Sequence, residues 1–334
     1  MSYKSPKWNN GSAPPLSAEN LQDLTDAVQE QGEALETMYN PNLLDNWYFG
    51  NPVNQRGQTS YTGAGYTIDR WLVQTPWGTS IETVTVEGGC VKLASGTMPS
   101  YPTSYGKWQQ IIEDKAALVG KVVTAAIFVE SVVPGNGSGV AFGFGNSGDL
   151  IAGMEVNIPT PGVYAKTITW TEDLDRIYVR VGRDTTTPAK ATIKAIKLEL
   201  GSQQTLAHQK DGVWVLNEIP RFSDQLAACQ RYLIPINNWT RVRASYYSAN
   251  ALYFTVPIPS TMRTTPAILD PSGALTVLRV SGSNPDISFT FDCNMSTPGS
   301  ISVQAMKDSH GLTDGQLIKR GGGSFQTVFF SSEL

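Results

Sequence analysis

Only two histidines, His208 and His310, stand in this chain of 334 residues. Neither shares a metal-ligand spacing with another His, a Cys or a pair of carboxylates, so no metal site and no cofactor is expected. His208 sits in a polar stretch and His310 in a Ser-His-Gly turn, which places both at the surface. No G-x-S-x-G elbow or phosphate-cradling Gly loop occurs. Glycoside hydrolysis needs two carboxylates across a cleft. Asp69, Glu113-Asp114 and Glu172-Asp173-Asp175 could supply them, but nothing in their spacing selects a pair, and no catalytic residue is assigned. The aromatic residues offer a different chemistry. Their faces stack on the C–H surfaces of sugars while amides and carboxylates orient the hydroxyls. Tyr101, Tyr105 and Trp108 lie among turn residues, Trp77 stands beside Gly78, and Trp239, Tyr246 and Tyr247 fall near a loop or strand end. These seven are the candidate glycan contacts; the alternative is that they fill cores or subunit contacts. Trp47 and Trp71 are expected in a core.

The elements that must position these side chains are mainly strands. Charged residues make up 16% of the chain and hydrophobic ones 40%, a balance that disfavours disorder and suits β-surfaces dressed in Ser, Thr, Asn and Gln. The 31 glycines and 20 prolines are scattered, as many short strands with tight turns require. A net charge of −4 with dispersed Lys and Arg argues against nucleic acid as a partner. No apolar run reaches membrane-spanning length, so no membrane insertion is expected. Cys90, Cys229 and Cys293 are an odd, widely spaced set, which reads as a chain folded in a reducing cytosol rather than on a disulfide framework.

A polar arm with Gly11 and Pro14-Pro15 precedes a helix that starts at Ser17 and ends at Asn40-Pro41. Leu21, Leu24, Val28, Leu35 and Met38 recur on it at spacings of three and four, with Gln31 in the missing seam position. An isolated helix of this length is marginal in water. Its stripe must pack on its own β-domain or on sister copies, and the narrow seam favours sister copies. Apolar runs at Gly120–Val132, Val140–Gly145, Arg176–Gly182 and Thr192–Leu200 predict a jelly-roll sandwich over residues 41–201. A connector follows at 202–222. A short helix from Ser223 and strands at Arg241–Tyr247, Ala251–Pro257, Leu275–Val280, Ile287–Asp292, Ile301–Met306 and Phe325–Phe330 predict a smaller β-sandwich head over 223–334.

Several stretches resemble tail-fibre and baseplate-associated proteins of phages and prophages. Lys7–Val28 resembles their attachment segment, and Leu43–Gly57 with Tyr66–Trp71 is similar to the first strands of their carbohydrate-binding-like jelly rolls. Lys197–Gly201 resembles the last strand of that domain, Asp224–Leu233 the Cys-Gln-Arg-Tyr helix that opens the head, and Val256–Ile268 the proline-marked edge after it. The first strand departs from the family, with Asp45-Asn46-Trp47-Tyr48-Phe49 in place of Asn-Gly-Asp/Glu-Phe, so no calcium ligand is carried over. The resemblance implies a non-enzymatic virion tail component, made in the bacterial host cytoplasm and released by lysis. It would be a homotrimer joined to other tail or baseplate proteins through residues 1–40 and would bind bacterial surface saccharide. A polysaccharide depolymerase and a purely structural spacer are the alternatives.

Overall fold

The computed structural model describes residues 21–28, 40–74, 81–96, 105–135, 139–148, 150–182, 187–236, 241–269, 277–280, 287–288, 290–294, 296–311, 317–320 and 328–333. The described chain is mainly β, in several antiparallel sheets. One six-stranded sheet runs, in spatial order, Ser60–Thr62, Ile81–Glu87, Cys90–Ser95, Lys190–Leu200, Val122–Val133 and Gly162–Thr169. The second runs Gly65–Tyr66, Leu72–Gln74, Tyr105–Ile111, Arg176–Gly182, Val140–Gly145 and Glu155–Asn157. The two share a single core. Val123, Ala125, Ile127, Ile196 and Leu198 of the first meet Trp108, Phe142, Phe144, Ile177 and Val179 of the second. Period-two alternation produces this: on each strand every other side chain turns inward.

Leu43–Gly57 departs from the expected strand. Its only bridge is Tyr48 to Ala195. It runs beside Lys194–Leu198, with Leu43 N donating to Leu198 O at 2.8 Å and Phe49 N to Lys194 O at 2.9 Å. Asn46 breaks the extended run by adopting φ 51°. Its buried amide replaces the lost pairing, bonding Val53 O and Asp69 O at 2.8 Å each and receiving Val53 N at 2.7 Å.

The expected connector is not a plain linker. Ala207–Lys210 and Val213–Leu216 form a two-stranded hairpin, and Leu206 and Ala207 are buried in the sandwich core with Trp214 and Leu216 packed against it. Asp211 (φ 52°) and Gly212 (φ 79°) make its turn, the two positive φ values that a two-residue hairpin prefers.

The short helix spans Phe222–Gln230 and buries Cys229. Beyond it lie a three-stranded sheet (Leu233–Ile236, Val328–Ser331, Ala267–Leu269) and a seven-stranded one that includes Arg241–Ser248, Ala251–Val256 and Ile301–Met306. They share a smaller core around Ile234, Leu252, Phe254, Val303 and Phe330. All three cysteines are buried free thiols.

Candidate functional site

Of the seven aromatic candidates, Trp77, Tyr101 and Trp239 lie outside the described residues, as does the side chain of Tyr105. Trp108 is corrected by the structure. It is fully buried, stacked on Trp71 at 4.2 Å, with its indole N–H donating to Thr67 Oγ1 at 3.0 Å. Strand alternation turns it inward, so it presents no face to a ligand. Trp47 and Trp71 are core residues as expected.

The alternate positions of the same strand face the other way. Lys107 pairs in register with Arg180 and Gln74, and Gln109 with Tyr178 and Leu72, across the outer side of the second sheet. This polar row is buried and knit together. Gln109 Nε2 donates to Gln74 Oε1 at 2.8 Å, as does Arg176 Nη1 at 3.1 Å. Arg180 Nε donates to Glu155 Oε1 at 2.8 Å, and Lys107 Nζ to Gly148 O at 2.6 Å, with the same ammonium 5.0 Å from the Tyr178 ring centre.

Tyr246 and Tyr247 are different: both are exposed, at 48% and 68%. They stand at an irregularity in the pairing of Arg241–Ser248 with Ala251–Val256, where Tyr246 opposes Leu252 and Ser248 opposes Ala251. Tyr247 is the extra residue of this bulge, and such bulges re-aim side chains. Tyr247 meets Tyr253 edge-on at 5.0 Å. Tyr246 meets His310 edge-on at 5.9 Å and lines a recess of about 390 Å³ with Ala249, Ser309, His310 and Gly311. The recess wall is a tight turn, with Ser309 at φ 55° and Gly311 at φ 69°. Asn250 ties this turn to the strands: its Oδ1 accepts Ser309 N at 3.1 Å and its carbonyl accepts Lys307 N at 3.0 Å. His310 is not the surface residue expected of a Ser-His-Gly turn. It is buried, and its Nε2–H donates to Ser248 O at 3.0 Å.

The acidic candidates meet different partners. Asp69 is buried, held by Gln55 N at 3.0 Å and Gln55 Nε2 at 2.6 Å, and faces Arg56. Burial pushes its carboxyl up to about 6, against the pull of those hydrogen bonds and of Arg56. Glu113 accepts from the Tyr232 hydroxyl and from Arg231 Nη2 at 3.2 Å. It borders, with Asp114 and Asp45, a cavity of about 370 Å³ between the sandwich and the head. Asp45 there receives Arg70 Nε at 2.9 Å. Asp175 is paired with Arg176, and Asp173 accepts the Thr171 hydroxyl. Asp45, Asp69, Glu113, Asp173 and Asp175 are thus each engaged with a neighbour in the fold.

Sequence reasoning placed Trp214 in a connector and missed its hairpin. The available signal was Asp211-Gly212 between two short runs with β-branched and aromatic residues, a hairpin mark.

By its fold the chain belongs with antiparallel β-sandwich proteins. No family model and no curated protein matches it. Among solved structures it is similar to the enzymatically active domain of bacteriophage CBA120 tailspike protein 4 (14% identity, TM-score 0.25, 48% of this chain and 21% of that one). It is similar also to an exo-beta-agarase (13%, 0.25, 49% and 26%). A third is the N-terminal CBM22-1–CBM22-2 tandem domain of Paenibacillus barcinonensis Xyn10C (9%, 0.26, 88% and 96%). The chain thus spans 21% and 26% of the first two. At such scores these likenesses carry no argument about what the chain does.

Proposed function

We propose that this chain is a non-enzymatic component of a phage-like tail, a fibre or baseplate appendage that attaches to the host surface by binding saccharide. The first body is read as a carbohydrate-binding-like jelly roll and the C-terminal body as a head. The observation that carries the reading is the exposed pair Tyr246 and Tyr247 beside a pre-formed recess on the head. Exposed aromatic faces next to polar turn groups are what a pyranose needs from a protein.

An exposed apolar stripe supports the same reading. Leu21, Leu24 and Val28, on the helix over residues 21–28, are exposed at 49%, 48% and 62%. An apolar stripe left in water is sheltered by joining sister copies, and a homotrimer is the assembly proposed. Leu35 and Met38, which extend the stripe, lie outside the described residues. The arm before the helix joins other tail or baseplate proteins, in a virion tail assembled in the bacterial host cytoplasm. Weak binding at each head is multiplied by copy number.

Sedimentation equilibrium at micromolar concentration is expected to give a trimer; a monomer overturns the appendage reading. On a glycan array of bacterial surface polysaccharides the chain is expected to bind, and Tyr246→Ala to weaken that signal by removing the head's share of it.

A further inference from the structure

The segment after Leu200 folds back over the outer side of the first sheet and is fastened at both ends. Glu199 accepts the Thr205 amide at 2.6 Å and also its hydroxyl. Thr124 Oγ1 donates to Gly201 O at 2.8 Å, and Lys197 Nζ meets Glu218 Oε1 at 2.6 Å. Between this layer and the sheet lies a groove of about 1100 Å³, whose lining includes Trp214, Gln209, Glu218, Lys197, His208 and Asn40. Its floor is fixed: Gln204 Oε1 accepts Leu206 N at 3.1 Å and Ala207 N at 3.3 Å. Asn217 Nδ2 donates to Thr205 O at 2.8 Å, and His208 Nδ1–H donates to Asn217 Oδ1.

We propose that this groove is a second saccharide site, on the sandwich and separate from the head recess, for a neutral oligosaccharide. It deepens the saccharide reading and rests on it. Trp214 is half-buried, packing on the core while also lining the groove. That leaves an indole surface for the apolar face of a sugar ring, on a support that does not have to be ordered on binding. Gln209 sits directly opposite Trp214 in the hairpin register, on the same side of the ribbon. Among the described residues nothing bonds to the Gln209 amide or to the second carboxylate oxygen of Glu218, which leaves these groups for hydroxyls. Charge selects the ligand class. Lys197 is met by Glu218 at 2.6 Å and by buried Glu199 at 3.7 Å, so the groove has no surplus positive charge for an acidic sugar.

The test is saturation-transfer NMR on the full chain. Maltotetraose, cellotetraose and laminaritetraose are the neutral probes and tetragalacturonate the acidic one. Binding of at least one neutral probe is expected to weaken about tenfold in Trp214→Ala. Trp214→Phe, which keeps an aromatic face, should retain most of it, and Tyr246→Ala should leave this component in place. Gln209→Ala, at an exposed strand position, keeps the test meaningful if Trp214→Ala fails to fold; it is expected to weaken the same probe about threefold. Undiminished binding in Trp214→Ala and Gln209→Ala overturns the groove, and if Tyr246→Ala then abolishes binding the head site stands alone. Preference for tetragalacturonate overturns the neutral class. Silence from every probe overturns the groove, and the glycan array then decides the head site by itself.

Discussion

Trp71 and Trp108 lie nearly parallel, 20° apart, and Phe49 closes on them at 5.5 and 5.2 Å. Each indole N–H has an acceptor inside the protein, Asn46 O at 2.9 Å for Trp71 and Thr67 Oγ1 at 3.0 Å for Trp108. Three large aromatics, fully buried and polar-satisfied, anchor the sandwich where a ligand contact at Trp108 was expected. Trp108→Ala is therefore expected to cost about 3–5 kcal/mol of unfolding free energy, through lost burial and the cavity left behind. Urea unfolding followed by circular dichroism measures it; a cost below about 1 kcal/mol would contradict the assignment to the core. At the exposed end of the range, Tyr246 and Tyr247 contribute little to the core.

At the scale of elements, the hairpin after the sandwich depends on its turn. Gly212 at φ 79° follows Asp211 at φ 52°, and only glycine holds the second position without strain. Gly212→Val is expected to destabilise the hairpin by about 1–2 kcal/mol, since a β-branched residue resists positive φ. Hydrogen exchange should show faster turnover of the amides of Val213–Leu216, with those of Arg176–Gly182 unchanged. The strand Arg176–Gly182 is buried on both faces, because the outer polar row covers one side as the core covers the other. The helix over residues 21–28 is its opposite: an apolar stripe that the described part of the chain leaves uncovered.

At the scale of the molecule, the sandwich and the head meet through polar and aromatic contacts. Arg56 bridges Glu333 and Asp69, and Gln55 Nε2 donates to Leu233 O at 2.8 Å. The Arg70 guanidinium lies 3.5 Å from the centre of the Tyr232 ring. Burial raises the carboxyl of Asp69 from 3.8 to about 6 and raises that of Glu333 as well. A carboxyl raised on folding holds its proton more tightly in the folded state. Its stabilising contribution is then full below about pH 4 and is lost as pH rises toward 6. The stability of Asp69→Asn relative to the parent chain is thus expected to rise between pH 4 and pH 7, by an amount on the order of 3 kcal/mol. Thermal melts of both proteins across that range check it; a constant difference would show that Asp69 titrates normally.

Strand content was legible because it is local. Val140–Gly145, Arg176–Gly182 and Ile301–Met306 carry their period-two pattern within a few residues, and the structure places strands at those bounds. The Phe222–Gln230 helix was legible for the same reason. The direction a side chain faces was not. Trp108 faces inward and Lys107 outward on one strand, and His310 is buried because its turn folds against Ser248 and Ala249, far away in sequence. The partners Arg56 and Glu333 are separated by 277 positions. No local pattern encodes such a contact; it exists only once both β-bodies have formed and docked. Composition and alternation alone determined that the chain is built of strands. Which aromatics remain available to a ligand was decided by the packing of sheet on sheet and of the hairpin on both.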